Sequence, residues 1–190
     1  ATLIPRPETE LLVEAVLALP IVQPAISVLD LGTGTGAIAI AIAKQRPTWD
    51  ITAVDQSDSA LVIARANAER HGCERLHCVQ SDWFAALSAQ RFTVIVSNPP
   101  YIAAGDSLPR EVQEWEPALA LFAGDDGLDV YRRLIPEAQR VLSPGGRLVM
   151  EIGAGQAEAV AGLLGNWDGV RVGHDLAGLP RVVMASTSAK

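Results

Sequence analysis

The chain has 190 residues, 49% of them hydrophobic, with a net charge of −7 and a pI near 4.9. That length suffices to bury the core of one α/β domain spanning 1–190, and an acidic chain with no stripe of Lys and Arg lacks the usual electrostatic footprint of nucleic-acid binding. The longest apolar stretch, 37–43, stops at Lys44, far short of a membrane span, and the first residues show no charged-then-apolar leader, so a soluble cytoplasmic monomer with no membrane contact is expected.

Pro7 suits the first position of a helix whose apolar face is Leu11, Leu12, Ala15, Val16 and Leu19, ended by Pro20. From Ser27 the pattern turns to βα repetition: strand 27–31, helix 37–45, strand 50–55, helix 59–71, strand 75–80. A short helical turn after Asp82 leads to strand 92–97. The irregular stretch 98–126 then has the length of a functional lid. Helix 127–142, a turn at Pro144-Gly145-Gly146, strand 147–152 and helix 156–164 follow, and strands 170–174 and 181–185 close the chain as an antiparallel pair around Gly178. Strands that are apolar on both faces and alternate with helices imply a parallel sheet covered by helices on both sides. Cys73 and Cys78 lie near His71 and His77, but a helix end turning at Gly72 into a strand points His77 and Cys78 to opposite faces. The expectation is packing by reduced thiols and no metal.

The run Asp30-Leu31-Gly32-Thr33-Gly34-Thr35-Gly36 joins the first strand to its helix. Its glycines allow a tight turn and close approach of a ligand to backbone N–H groups at a helix N-terminus. Gly32, Gly34 and Ala37 also satisfy the pattern of dinucleotide binders, so the loop alone leaves S-adenosylmethionine and a nicotinamide dinucleotide both open. Asp55, ending the second strand, is placed to accept the two hydroxyls of a ribose in either case. Asp82 and Trp83 follow the third strand, where Asp82 can accept an adenine amino group and Trp83 can pack beside the ring. Their alternatives are a helix N-cap and a core filler. Asp30 is a candidate for ordering the glycine loop.

Strand 92–97 runs into Asn98-Pro99-Pro100-Tyr101 at the carboxyl edge, where open α/β sheets bind ligands. The Asn98 side-chain oxygen and the Pro99 carbonyl can each accept one N–H of a planar amide or amine, and neither proline offers a competing donor. Tyr101 adds a flat face. Such an arrangement orients the lone pair of a poor nitrogen nucleophile toward an electrophilic methyl group.

With these residues the chain resembles the class I S-adenosylmethionine-dependent methyltransferases, and within them the release-factor glutamine N5-methyltransferases. The resemblance runs in order through 4–10 (Ile-Pro-Arg-Pro-Glu-Thr-Glu), 30–36, Asp55, Ser81-Asp82-Trp83, 97–102, the segment from Glu116-Pro117 to Gly127-Leu128, and Asp175, Gly178 and Arg181. It implies a Rossmann-like, seven-stranded, mostly parallel sheet with an antiparallel last strand. It also implies S-adenosyl-L-methionine, leaving as S-adenosyl-L-homocysteine, held by Gly32, Thr33, Gly34, Thr35, Gly36, Asp55, Asp82, Trp83 and Asn98. The substrate would be the glutamine of the Gly-Gly-Gln motif of a peptide-chain release factor, held by Asn98, Pro99, Pro100 and Tyr101. Family members carry a helical domain before the Ile-Pro-Arg-Pro segment, so the chain is expected to be the catalytic domain alone. The alternatives are an adenine-N6 or guanine-N2 methyltransferase of DNA or rRNA, which shares the four-residue motif but calls for a basic channel for its flipped base, a nicotinamide dehydrogenase, and an inactive binding module.

Overall fold

A computed structural model of the chain describes residues 8–21, 25–87, 89–106 and 120–189. Seven strands form one sheet: β1 (Ser27–Leu31), β2 (Asp50–Asp55), β3 (His77–Gln80), β4 (Phe92–Ser97), β5 (Leu142–Glu151), β6 (Asp168–His174) and β7 (Pro180–Ser186). Their order is β3-β2-β1-β4-β5-β7-β6, with β1 to β5 parallel and β7 antiparallel to both neighbours. The chain leaves β1 for β2 on one side and later returns to β4 on the other. This reversal beside β1 opens a crevice at the carboxyl edge, where the loops after β1 and β4 lie side by side.

The helices are α1 (Glu8–Leu17), α2 (Ala37–Gln45), α3 (Asp58–Arg70), α4 (Asp129–Val141) and α5 (Ala157–Leu163). Period-2 alternation sorts the strand residues between two cores. Val28, Ile51, Ala53, Val94, Val96 and Val149 pack with Leu12 and Val16 of α1 and with Ile38 and Ile42 of α2. Leu29, Leu31, Ile95, Leu148 and Met150 pack on the opposite face with Tyr131, Leu134 and Ala138 of α4 and Val160 of α5. Thr9, in the first turn of α1, donates a 3.5 Å hydrogen bond to the buried Glu151 carboxylate, tying α1 to the carboxyl end of β5.

Three of the sequence-predicted strands and one helix have the bounds expected, and the departures are local. Helix α3 begins one residue early because Ser57 caps it, its hydroxyl accepting from the Ala60 N–H at 3.3 Å. The predicted helical turn after Asp82 is a pair of tight turns instead, for Trp83 takes φ 51°, in the left-handed region that interrupts a helix. The predicted turn at Pro144-Gly145-Gly146 lies inside β5: Phe92 pairs with Leu142 and Val94 with Arg147, so 143–146 bulge out between them. The backbone there is satisfied by the segment after β7, with Gly145 N–H donating to Ser188 and Thr187 N–H to Gly146. Pro7 lies outside the described residues, as do residues 107–119 of the predicted lid. The described ends of that lid are joined: Ile102 N–H donates to Leu121, Ala123 N–H to Ile102 and Ala104 N–H to Gly124, all at 2.9 Å.

Candidate active site

Gly32, Gly34 and Gly36 all have positive φ (71°, 57° and 81°), which only glycine adopts without strain, and each has its own surroundings. A Cβ on Gly36 would stand 3.2 Å from both Ala64 Cβ and Ile40 Cδ1, so this glycine serves the packing of α2 against α3. Gly32 is exposed, and a Cβ there would meet only the Trp83 ring, 3.6 Å away. The loop is braced from beneath by Asp30. One of its oxygens accepts from Thr33 Oγ1 at 2.6 Å and from Ala39 N–H at 3.2 Å, while Oδ1 is the buried side-chain oxygen without a partner among the described residues. Burial pushes the Asp30 carboxyl up to about 7 against the opposing pull of those two hydrogen bonds, and the charge of Asp55 adds to the rise.

Asp55 ends β2 half-buried, with Oδ2 accepting from Gly34 N–H and Oδ1 from Ser57 N–H, both at 2.9 Å. Each oxygen retains a second lone pair, so the carboxylate is fixed in direction and still able to accept two hydroxyls. Asp82, which the sequence offers to an adenine, is exposed and ion-paired with Arg133 of α4 at 2.8 Å. Trp83 is half-buried, packed on the core and lying over Gly32.

Across the crevice, Leu31 pairs with Ser97, which sets Asn98 beside Gly32 as the strands end. The buried Ser97 hydroxyl donates to the Leu31 carbonyl at 2.8 Å and fixes the two loops relative to each other. Pro99 is buried, Asn98, Pro100 and Tyr101 are half-buried, and the Asn98 side chain makes no hydrogen bond to a described residue. The Tyr101 carbonyl accepts from Gln156 Nε2 at 2.9 Å. Glycine loop, Asp55, Trp83 and Asn98–Tyr101 are thus brought to one edge, and Asp82 lies at its margin on an arginine. Ser97, Arg133 and Gln156 were not assigned by the sequence reading as residues that hold this edge. For Gln156 the signal was a glutamine directly after a glycine-rich strand exit, which periodicity reads only as the start of a helix.

The cysteine and histidine cluster does not converge. His77 pairs with Asp50 at 3.3 Å and Cys73 Sγ contacts the His71 carbonyl at 3.7 Å, and no group of three or more potential metal ligands occurs among the described residues. No helix among them is long and apolar enough to cross a membrane.

Residues 7–114 match the family model described as methyltransferase small domain. The chain is 50% identical to the release factor glutamine methyltransferase of Cereibacter sphaeroides over 99% of its own length and 68% of that protein. It is 44% identical to the release factor glutamine methyltransferase of Escherichia coli over 97% of its length and 67% of that protein. The chain therefore spans about two thirds of these relatives. Among solved structures, a methyltransferase from Pyrococcus furiosus superposes with a TM-score of 0.70 at 18% identity, covering 98% of this chain and 85% of that one, a likeness of fold.

Proposed function

This chain belongs to the release factor glutamine methyltransferase family, and from that premise we propose that it transfers a methyl group from S-adenosyl-L-methionine to the side-chain amide N5 of the glutamine in the Gly-Gly-Gln motif of a peptide-chain release factor. The observation that supports the reading best is the register Leu31↔Ser97, by which residue 98 follows β4 alongside the start of the glycine loop. A sheet edge with a directed carboxylate at Asp55, an exposed glycine at Gly32 and an indole beside it suits a nucleoside with a charged tail. In this reading Gly32, Thr33, Gly34, Thr35 and Gly36 hold the amino-acid end, Asp55 accepts the ribose hydroxyls, and Trp83 lies along the adenine. Asp82 joins them by sharing its carboxylate between Arg133 and the adenine amino group. When bound, S-adenosylmethionine supplies a methyl group made electrophilic by its sulfonium.

An amide nitrogen is a poor nucleophile because its lone pair is delocalised into the carbonyl. The Asn98 side-chain oxygen accepts one amide N–H and the Pro99 carbonyl accepts the other, and the two acceptors favour the pyramidal nitrogen with its lone pair aimed across the crevice. Tyr101 supplies the face against which the planar group lies. No general base is needed in this scheme, since an N-methylated amide cation is acidic enough to lose its proton to water. Positioning is then the main contribution of the protein, and holding two reactants in a near-attack geometry lowers a barrier by about 7–11 kcal/mol. In this reading the chain is a catalytic domain acting on a protein partner, and its net charge of −7 argues against direct nucleic-acid contact. Mass spectrometry of a purified release factor after incubation with this chain and S-adenosylmethionine tests the reading. A gain of one methyl group on the Gly-Gly-Gln peptide is expected, and an unmodified glutamine overturns it.

A further inference from the structure

We propose that Gln156 is a positioning residue for this reaction, holding the exit of the Asn98–Tyr101 motif through a carboxamide whose polar atoms are all engaged. Its Nε2 donates to the Tyr101 carbonyl at 2.9 Å and to the Gly127 carbonyl at 3.2 Å, while its Oε1 accepts from Gly153 N–H at 3.1 Å. Gln156 stands at the N-terminal boundary of α5 but makes no side-chain cap there. The side chain instead turns back across the carboxyl edge, at the end of a turn in which Gln156 N–H donates to Gly153.

The surroundings are shaped around this group. A Cβ on Gly127 would fall 2.4 Å from the Tyr101 carbonyl oxygen and 2.8 Å from Gln156 Nε2. One on Gly153 would fall 2.9 Å from Gln156 Oε1 and 3.3 Å from Tyr101 Cδ2. Three segments therefore meet at one carboxamide: the motif after β4, the return of the long irregular stretch, and the exit of β5. At its entry the motif is fixed by the Ser97 hydroxyl on the Leu31 carbonyl. Between the two anchors, two proline rings lock φ. Asn98 and the Pro99 carbonyl are thus held between Ser97 and Gln156, and the Tyr101 ring is set against Gly153. The Gln156 carboxamide uses both protons and its oxygen on the protein, which leaves it no donor for substrate.

This inference rests on the proposed reaction, so the test has arms that separate the two. Gln156→Ala and Gln156→Glu are compared with the unaltered chain for kcat and KM on a release factor, for S-adenosylhomocysteine affinity by calorimetry, and for hydrogen exchange. Gln156→Ala should lower kcat by about 10- to 100-fold, the scale of misplacing a reactant by a fraction of an ångström to an ångström, with cofactor affinity within about twofold. Gln156→Glu, ionised, sets a negative charge against two carbonyl oxygens. Its rate should rise as the pH falls and the carboxyl regains a proton to donate, a step missing from the profile of the unaltered chain. In Gln156→Ala the Gly153 and Ile102 amides should both exchange faster than in the unaltered chain, whereas Gln156→Glu keeps an acceptor for Gly153 N–H and should speed exchange at Ile102 alone. A kcat within twofold for both variants overturns the proposal, as does a loss confined to cofactor affinity. If the unaltered chain fails to methylate the glutamine, the reaction assigned is wrong. The exchange arm still decides the anchoring role then, since unchanged protection of Gly153 and Ile102 in Gln156→Ala overturns it and faster exchange supports it.

Discussion

The backbone N–H of Gly34 donates to the Asp55 carboxylate at 2.9 Å, so the loop after β1 is tied to the end of β2. A second amide, Ser57 N–H, holds the other oxygen at the same distance. In the proposed reading Asp55 therefore has two tasks, bracing the loop and accepting the ribose hydroxyls, and substitution touches both. Asp55→Ala should weaken S-adenosylhomocysteine binding by about 1.5–3 kcal/mol for each charge-assisted hydrogen bond lost and should also loosen the loop. Asp55→Asn retains one acceptor oxygen and should fall between. Calorimetry checks this, with nicotinamide dinucleotide as the control ligand. Tight binding of the dinucleotide and none of S-adenosylhomocysteine would remove the cofactor assignment.

Asp30 makes stability depend on pH in an uncommon direction. Its folded-state pKa is raised to about 7 by burial, above the unfolded value of 3.8, so the folded state holds the proton more tightly than the unfolded chain does. This group then opposes folding increasingly as the pH climbs from about 4 to about 7, and its effect is level beyond. The total is on the order of a few kcal/mol at 1.36 kcal/mol per pKa unit. Asp30→Asn carries no such titration, so its stability should gain on that of the unaltered chain across this window. Urea unfolding of both at several pH values measures the difference, and two parallel curves would mean that Asp30 is ionised at no such cost.

The sheet was legible because its strands are short apolar runs separated by helices, and the glycine loop and Asn98-Pro99-Pro100-Tyr101 announce themselves by residue type and place. Period and punctuation say nothing, however, about partners distant in sequence. Arg133 lies 51 residues from Asp82, yet it holds the carboxylate that sequence alone assigns to adenine. Gln156 reaches back 55 residues to Tyr101. The bulge at 143–146 was hidden for a related reason, since Pro-Gly-Gly signals a turn whether the chain reverses there or is stitched to the segment after β7.

With a net charge of −7, the protein should repel a polyanion at physiological salt. Radiolabelled methyl transfer to naked DNA or rRNA is expected to stay at background under conditions in which a release factor is labelled. Equal labelling of nucleic acid would favour a base methyltransferase built on the same four-residue motif.

Two glycines with nearly the same positive φ should respond differently to alanine. Gly72 (φ 70°) has nothing within 4 Å of the place a Cβ would take, so Gly72→Ala should cost only the left-handed strain, about 1–2 kcal/mol. Gly127 (φ 72°) would drive its Cβ into the Tyr101 carbonyl, adding about 1–3 kcal/mol of overpacking and displacing the motif. Thermal unfolding should rank them in that order. Turnover should be lost in Gly127→Ala alone, and normal turnover in that variant would show that the motif tolerates displacement of its exit.

Asn98 bears the sharpest expectation, because it lies beside Gly32 at the ends of paired strands with a side chain that makes no hydrogen bond to a described residue. Asn98→Ala deletes one of the two acceptors proposed to orient the amide nitrogen. Loss of a single well-placed transition-state hydrogen bond costs a factor of about 100 to 1,000 in turnover. Folding should survive, since the Ser97 to Leu31 hydrogen bond and both prolines remain. Asn98→Asp keeps an acceptor but adds a charge in the crevice, so cofactor affinity and turnover should change independently of each other. Tyr101→Phe should be mild, for the ring face and not the hydroxyl is assigned to the substrate. Steady-state kinetics on a release factor, paired with calorimetry for the cofactor, distinguish these cases. Near-normal methylation by Asn98→Ala together with its abolition in Tyr101→Phe would transfer the chemistry from the amide acceptors to the phenol.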